Sequence, residues 1–167
     1  MLIGGGKLSE FRLRKHEQVL MQSRYEVEEV SNYAQTLNPL NLFWNGSEFL
    51  LGRLFLTDHR LILLPYSQAE VDKAHLLQNV GYKVLDKVGF GIPKPEINFA
   101  MEPIVLRLDD IHALNPFERQ FKIHPTLSLM ASQQSFRFKF VPGDSPQEWA
   151  NAIAELTPCE ISHRRSA

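Results

Sequence analysis

The stretch GRLFLTDHRLILLPYS, residues 52–67, sets two apolar runs of strand length back to back around four polar residues, Thr57, Asp58, His59 and Arg60. Leu54, Phe55 and Leu56 form one arm and residues 61–64 the other, so the segment reads as a β-hairpin with Asp58 and His59 at its turn. An Asp in such a place can hydrogen-bond its own backbone two residues on, which suits a chain reversal. The tetrad also holds a potential base and a cation. Acid–base catalysis, however, needs such groups in a pocket beside a nucleophile or a metal, and a hairpin tip is exposed. The tetrad is therefore read as structural, with Arg60 pairing a neighbouring carboxylate.

Further strands follow from the same two-residue period. In SFRFKFV, Phe136, Phe138 and Phe140 face one way and Ser135, Arg137 and Lys139 the other. In PIVLRLDD, Ile104, Leu106 and Leu108 oppose Val105, Arg107 and Asp109, and residues 121–131 alternate more loosely. Residues 18–33, with Val19, Met21, Tyr25, Val27 and Val30, read as one long strand. Ser145-Pro146-Gln147-Glu148 carries a helix start: a Ser cap, Pro at the first helical position and Glu three residues after the cap. Trp149, Ile153 and Leu156 then line one helix face, and Pro158 follows the end.

Between the hairpin and Ile104 the chain is too long for a structureless loop. Val71, Ala74, Leu77, Gly81, Val84 and Val88 recur at helical spacing, so residues 68–88 read as helical, broken near Gly81 and stopped by Gly89. Residues 90–103, with Pro93 and Pro95, form an extended return. The expected organisation is one domain over residues 1–158, with a helical insertion at about 68–102 and a flexible tail at 159–167.

A chain of 167 residues with a formal net charge of −1 has no global pull toward nucleic acid. Cys159 is the single cysteine, which excludes an intrachain disulfide and a CxxC metal site and fits a reducing, cytoplasmic compartment. The opening MLIGGGKLSEF is too short in apolar residues for a secretory leader, and no run approaches a spanning helix of about 20 residues. Any membrane contact is expected to be peripheral. Asp109, Asp110, His112 and His124 could be read as metal ligands, but no HxxxH or HExxH spacing supports this, and in an alternating strand the two Asp side chains point to opposite faces. Gly89-Phe90-Gly91 lacks the spacing of a nucleotide loop, and no GxSxG occurs. No metal, cofactor or catalytic residue is expected.

GRLFLTDHRLILL resembles the signature of GRAM domains, a branch of the pleckstrin-homology-like superfold, at Gly52, Leu56, Thr57, Arg60 and Leu61. The run from Ile104 through Asp110-Ile111 to Phe140 is similar to the remaining strands of that fold, and Trp149 to the residue that seats its closing helix. The resemblance covers roughly residues 17–156, apart from the insertion. It implies a mainly β domain with α structure: a partly open seven-stranded barrel closed by a C-terminal amphipathic helix. It also implies a non-catalytic module that binds lipid head groups or proteins, often at membranes. Pleckstrin-homology domains that grip phosphoinositides carry Lys and Arg around the loop after the first strand, and residues 34–48 contain neither.

Two binding readings follow. A peripheral membrane adaptor would meet an anionic surface through the basic residues Lys7, Arg12, Arg14 and Lys15 and anchor through an aromatic tip, Phe43 and Trp44. The bland counterparts are a solvated N-terminal face and a tip packed on the barrel. A protein-interaction module would instead use a groove between the barrel and its insertion. The balanced charge of the insertion, Glu70, Asp72 and Asp86 against Lys73, Lys83 and Lys87, suits a cover or a protein contact better than lipid adsorption.

Overall fold

The computed structural model describes residues 1–29, 48–73, 76, 87, 98–99, 102–125 and 135–162. In chain order its strands are β1 (Leu2–Gly5), β2 (Leu8–Arg12), β3 (Val19–Gln22), β4 (Val27–Glu29), β5 (Glu48–Thr57) and β6 (Arg60–Pro65). There follow β7 (Asn98–Phe99), β8 (Ile104–Arg107), β9 (Ile111–Phe117), β10 (Gln120–Pro125), β11 (Phe136–Phe140) and β12 (Glu160–Ile161), with helix α1 (Pro146–Leu156) before β12. One curled open sheet runs in the order β12-β9-β10-β11-β4-β5-β6-β8, with β3 and β7 also paired to β5. β1 and β2 form a separate hairpin.

β5 and β6 are the expected hairpin, antiparallel from Gly52 opposite Pro65 to Leu56 opposite Leu61. Their alternation serves two cores at once. Leu54, Leu56, Leu61 and Leu63 point into the main core with Phe121, Phe138, Phe140 and Trp149. Phe55, Ile62 and Leu64 point the other way, where Ile3 and Leu13, with Leu8, Phe11 and Val19 packed against them, make a second core. This explains why residues 61–64 are unbroken in hydrophobicity: a strand covered on both faces has no solvent side to keep polar. Gly52 sits where the strands come closest, and a Cβ built there would lie 1.6 Å from the Leu64 carbonyl oxygen.

The long strand expected over residues 18–33 is broken. β3 and β4 pair with successive parts of β5, Gln22 opposite Phe55 and Val27 opposite Gly52; Ser23 still bonds to Leu54, and residues 24–26 leave the ladder. Side chains take over the backbone groups there. The Asp144 carboxylate accepts from the Arg24 and Tyr25 N–H groups at 3.0 and 2.9 Å, and Arg53 donates to the Ser23 and Arg24 carbonyls. The alternation of residues 104–109 also ends early, because residues 108–110 form a 3-10 turn; Ile104, Leu106 and Leu108 still pack into the main core.

α1 begins as expected, with the Ser145 hydroxyl accepting from the Glu148 N–H and Pro146 in the first turn. Trp149 and Ile153 are buried on the main core, joined by Ala150. Leu156 is 40 % exposed and does not seat the helix. Thr157 takes the terminal role, its hydroxyl donating to the Leu108 carbonyl at 3.2 Å. Beyond it, residues 160–161, expected in the tail, add a parallel strand to β9. Of the insertion, residues 68–73 are helical, as are residues 76 and 87, and residues 98–99 pair with β5. Its break near Gly81 and stop at Gly89 lie outside the described residues.

Candidate binding cleft

The polar tetrad of the hairpin divides into two parts. Thr57 and Arg60 are buried, and they converge on Glu17, which is 4 % exposed. Arg60 Nε and Nη2 donate to the two Glu17 carboxylate oxygens at 2.9 and 2.6 Å, and Thr57 Oγ1 donates to Oε1 at 2.7 Å. The Arg14 N–H adds a fourth donor at 2.8 Å. Led by the Arg60 hydrogen bonds, these contacts hold the Glu17 carboxyl down at about 2 against the opposing effect of its burial. The guanidinium lies 5.2 Å from the centre of the Phe11 ring, so the node ties the N-terminal hairpin to β5 and β6. Arg60 thus pairs a carboxylate, as expected.

The turn itself is held differently from the sequence reading. Thr57 Oγ1, rather than Asp58, accepts the local N–H groups, from His59 at 3.1 Å and Arg60 at 2.9 Å. Asp58 reaches across instead: its Oδ1 accepts from the Gln18 N–H at 3.0 Å. His59 is exposed.

A concavity lies elsewhere, on the outer face of β5. Its walls are the turn of the N-terminal hairpin, the break between β3 and β4, and the first helical turn after β6. It encloses about 500 Å³, within the usual range for ligand clefts. Lys7, Glu26, Arg53, Tyr66 and Glu70 supply polar groups, while Leu8, Leu51 and Val71 supply apolar surface. The Tyr66 hydroxyl donates to Glu26 Oε1. Burial first, then this hydrogen bond and the Glu26 charge, push its pKa upward, so Tyr66 stays a neutral phenol. Glu70 is engaged by Lys73 at 3.1 Å. A second groove of about 330 Å³ shares Gly5, Leu8 and Gln22 with the first and extends along Ile3, Val19 and Phe55.

The basic residues read from the sequence do not form one patch. Lys7 stands at the β1–β2 turn in the cleft wall, whereas Arg12 lies at the open end of that hairpin opposite Leu2, about 16 Å away along a strand. Arg14 and Lys15 are exposed just beyond it. Arg14 borders a small polar recess of about 100 Å³ with Asp58, His59, Arg107 and Asp109. Phe43 and Trp44 lie outside the described residues. Gly52, Leu56, Thr57, Arg60, Leu61 and Trp149 all occupy structural positions.

Of the possible metal ligands, Asp109 is taken up by an ion pair with Arg107 at 3.4 Å, and His112 and His124 lie near enough to sense each other's charge. Burial, then the Lys122 and His112 charges, lower the pKa of His124. Among the described residues, no three His, Cys, Asp or Glu side chains gather as a metal site would require. Nor is any helix there long and apolar enough to cross a membrane. Sequence reasoning overlooked Arg53, Glu26 and Tyr66. One signal was available: Arg53 is the sole charged residue of the FLLGRLFL run, a lone cation on an otherwise apolar strand.

Compared with known proteins, the sequence matches no protein-family model and no curated protein.

Proposed function

We propose that this chain is a non-catalytic binding module of the pleckstrin-homology/GRAM-like type, and that it recognises a protein segment in the cleft between the outer face of β5 and the start of the insertion. The fold assignment is supported by the order of elements: strands on both sides of β5 curl into a partly open sheet, and a C-terminal helix seats Trp149 in its core. The lone cysteine, Cys159, is free, which suits the cytoplasm.

The observation that carries the choice of ligand is the mixed lining of the cleft. Two carboxylates, Glu26 and Glu70, share it with Lys7 and Arg53 over apolar Leu8, Leu51 and Val71. A phosphomonoester head group, carrying close to two charges, would have to share the cleft with both carboxylates. A peptide offers backbone donors and acceptors, apolar side chains and single charges, and it matches such a surface. The membrane reading retains one observation of its own, the exposed Arg12, Arg14 and Lys15 at the open end of the N-terminal hairpin.

Sedimentation with phosphatidylcholine vesicles, with and without phosphatidylserine, at low and high salt separates the two readings. The expected result is no dependence on the anionic lipid. Salt-sensitive sedimentation with phosphatidylserine, abolished by replacing Arg12, Arg14 and Lys15, would favour the adaptor instead.

A further inference from the structure

The charges of the cleft are unequally committed. Its two carboxylates are engaged, Glu26 by the Tyr66 hydroxyl and Glu70 by Lys73. Its two cations are not matched to acids: among the described residues no carboxylate lies within 4.0 Å of the Lys7 ammonium or the Arg53 guanidinium. Arg53 is nevertheless fixed in place, because Nη1 donates to the neutral Ser23 and Arg24 carbonyls and the side chain also hydrogen-bonds to the neutral Tyr66 phenol, so that it is held without a carboxylate ion pair. A half-buried guanidinium positioned on neutral acceptors is preorganised for an anion. Beside it, the connecting groove along Ile3, Val19 and Phe55 offers apolar walls.

Resting on the peptide-binding reading above, we infer that the cleft selects an acidic peptide: an Asp or Glu carboxylate is held between Lys7 and Arg53, and an adjoining apolar side chain enters the groove along Val19 and Phe55. Glu26 and Glu70 set the charge limit. They disfavour a doubly charged phosphate at the same point while leaving room for a monoanion flanked by N–H donors. Tyr66, a neutral phenol on Glu26, keeps that carboxylate turned to an internal partner.

The test is selection of a random-peptide phage library on the full chain, followed by fluorescence anisotropy with the enriched peptides. The expected consensus places Asp or Glu near a large apolar residue. Changing that acid to its amide should weaken binding about tenfold, as loss of a charge-assisted hydrogen bond does. Lys7→Glu is the main protein variant, since among the described residues its side chain makes no hydrogen bond or ion pair; it should weaken the acidic peptide by a similar factor and shift a repeated selection toward Lys- or Arg-containing peptides. Arg53→Gln should also weaken the acidic peptide, with circular dichroism checking that the break between β3 and β4 survives. Enriched peptides indifferent to the acid-to-amide change and to Lys7→Glu would overturn the inference while leaving peptide binding intact. Displacement of the peptide by millimolar inorganic phosphate would overturn the choice of a carboxylate. Failure to enrich any peptide would overturn the broader reading, and this inference with it.

Discussion

Replacing Glu17 by Gln tests the node that joins the N-terminal hairpin to the sheet. Gln keeps the shape and one acceptor but removes the charge facing Arg60. In the folded protein the Glu17 carboxyl is held at about 2, against an ordinary value of 4.5. At about 1.4 kcal/mol for each tenfold in proton affinity, that difference amounts to about 3 kcal/mol favouring the ionised folded state. Because the folded value is the lower one, this stabilisation is fully present above pH 4.5 and is lost as pH falls toward 2. Glu17→Gln should therefore be less stable than the parent by about 3 kcal/mol at pH 7, corresponding to a melting temperature lower by about 6 to 12 °C for a domain of this size. The gap should close as pH falls from about 4.5 to about 2, since the parent then loses the same charge by protonation. Urea unfolding of both proteins at pH 7, 4.5, 3 and 2 measures this difference, and the other carboxylates cancel in the comparison. A gap that stays constant with pH would show that the loss at pH 7 comes from packing rather than from the Glu17 charge. Arg60→Met supplies the opposite half of the test. It strands a buried carboxylate, which should cost about 3 to 5 kcal/mol at pH 7, with the loss shrinking in acid as Glu17 takes up a proton.

Two further substitutions check the packing. Gly52→Ala places a Cβ 1.6 Å from the Leu64 carbonyl oxygen, so β5 and β6 must separate locally; denaturant unfolding should show a loss of several kcal/mol, on the order of 3 or more, and a loss below about 0.5 kcal/mol would contradict the close approach. Trp149→Ala empties the centre of the main core beside Phe140, whose ring centre is 6.1 Å from that of Trp149, and should cost about 3 to 5 kcal/mol; an unchanged melting temperature would remove Trp149 from the core.

What the sequence determined by itself was local. The β5–β6 hairpin, the alternating phenylalanines of β11 and the capped start of α1 depend on contacts between near neighbours, and periodicity and turn chemistry report those directly. Burial of residues 61–64 on both faces was also written in their unbroken hydrophobicity, although not what covers them. Tertiary structure alone decided the rest. The N-terminal hairpin covers the outer face of β6 because Ile3 and Leu13 complete a second core, and nothing near either residue names that partner. Arg24 and Tyr25 leave the sheet because Asp144, some 120 positions away in the chain, captures their N–H groups. Leu156 matched the apolar stripe of the closing helix, yet it remains exposed, and the next residue, Thr157, ties the helix end to the Leu108 carbonyl instead. The same holds for charge. Lys7, Arg12, Arg14 and Lys15 are one cluster along the chain, but a strand separates the first from the others in space; Lys7 instead shares a cleft with Arg53 and Tyr66, because sheet pairing brings together side chains that the chain order keeps far apart.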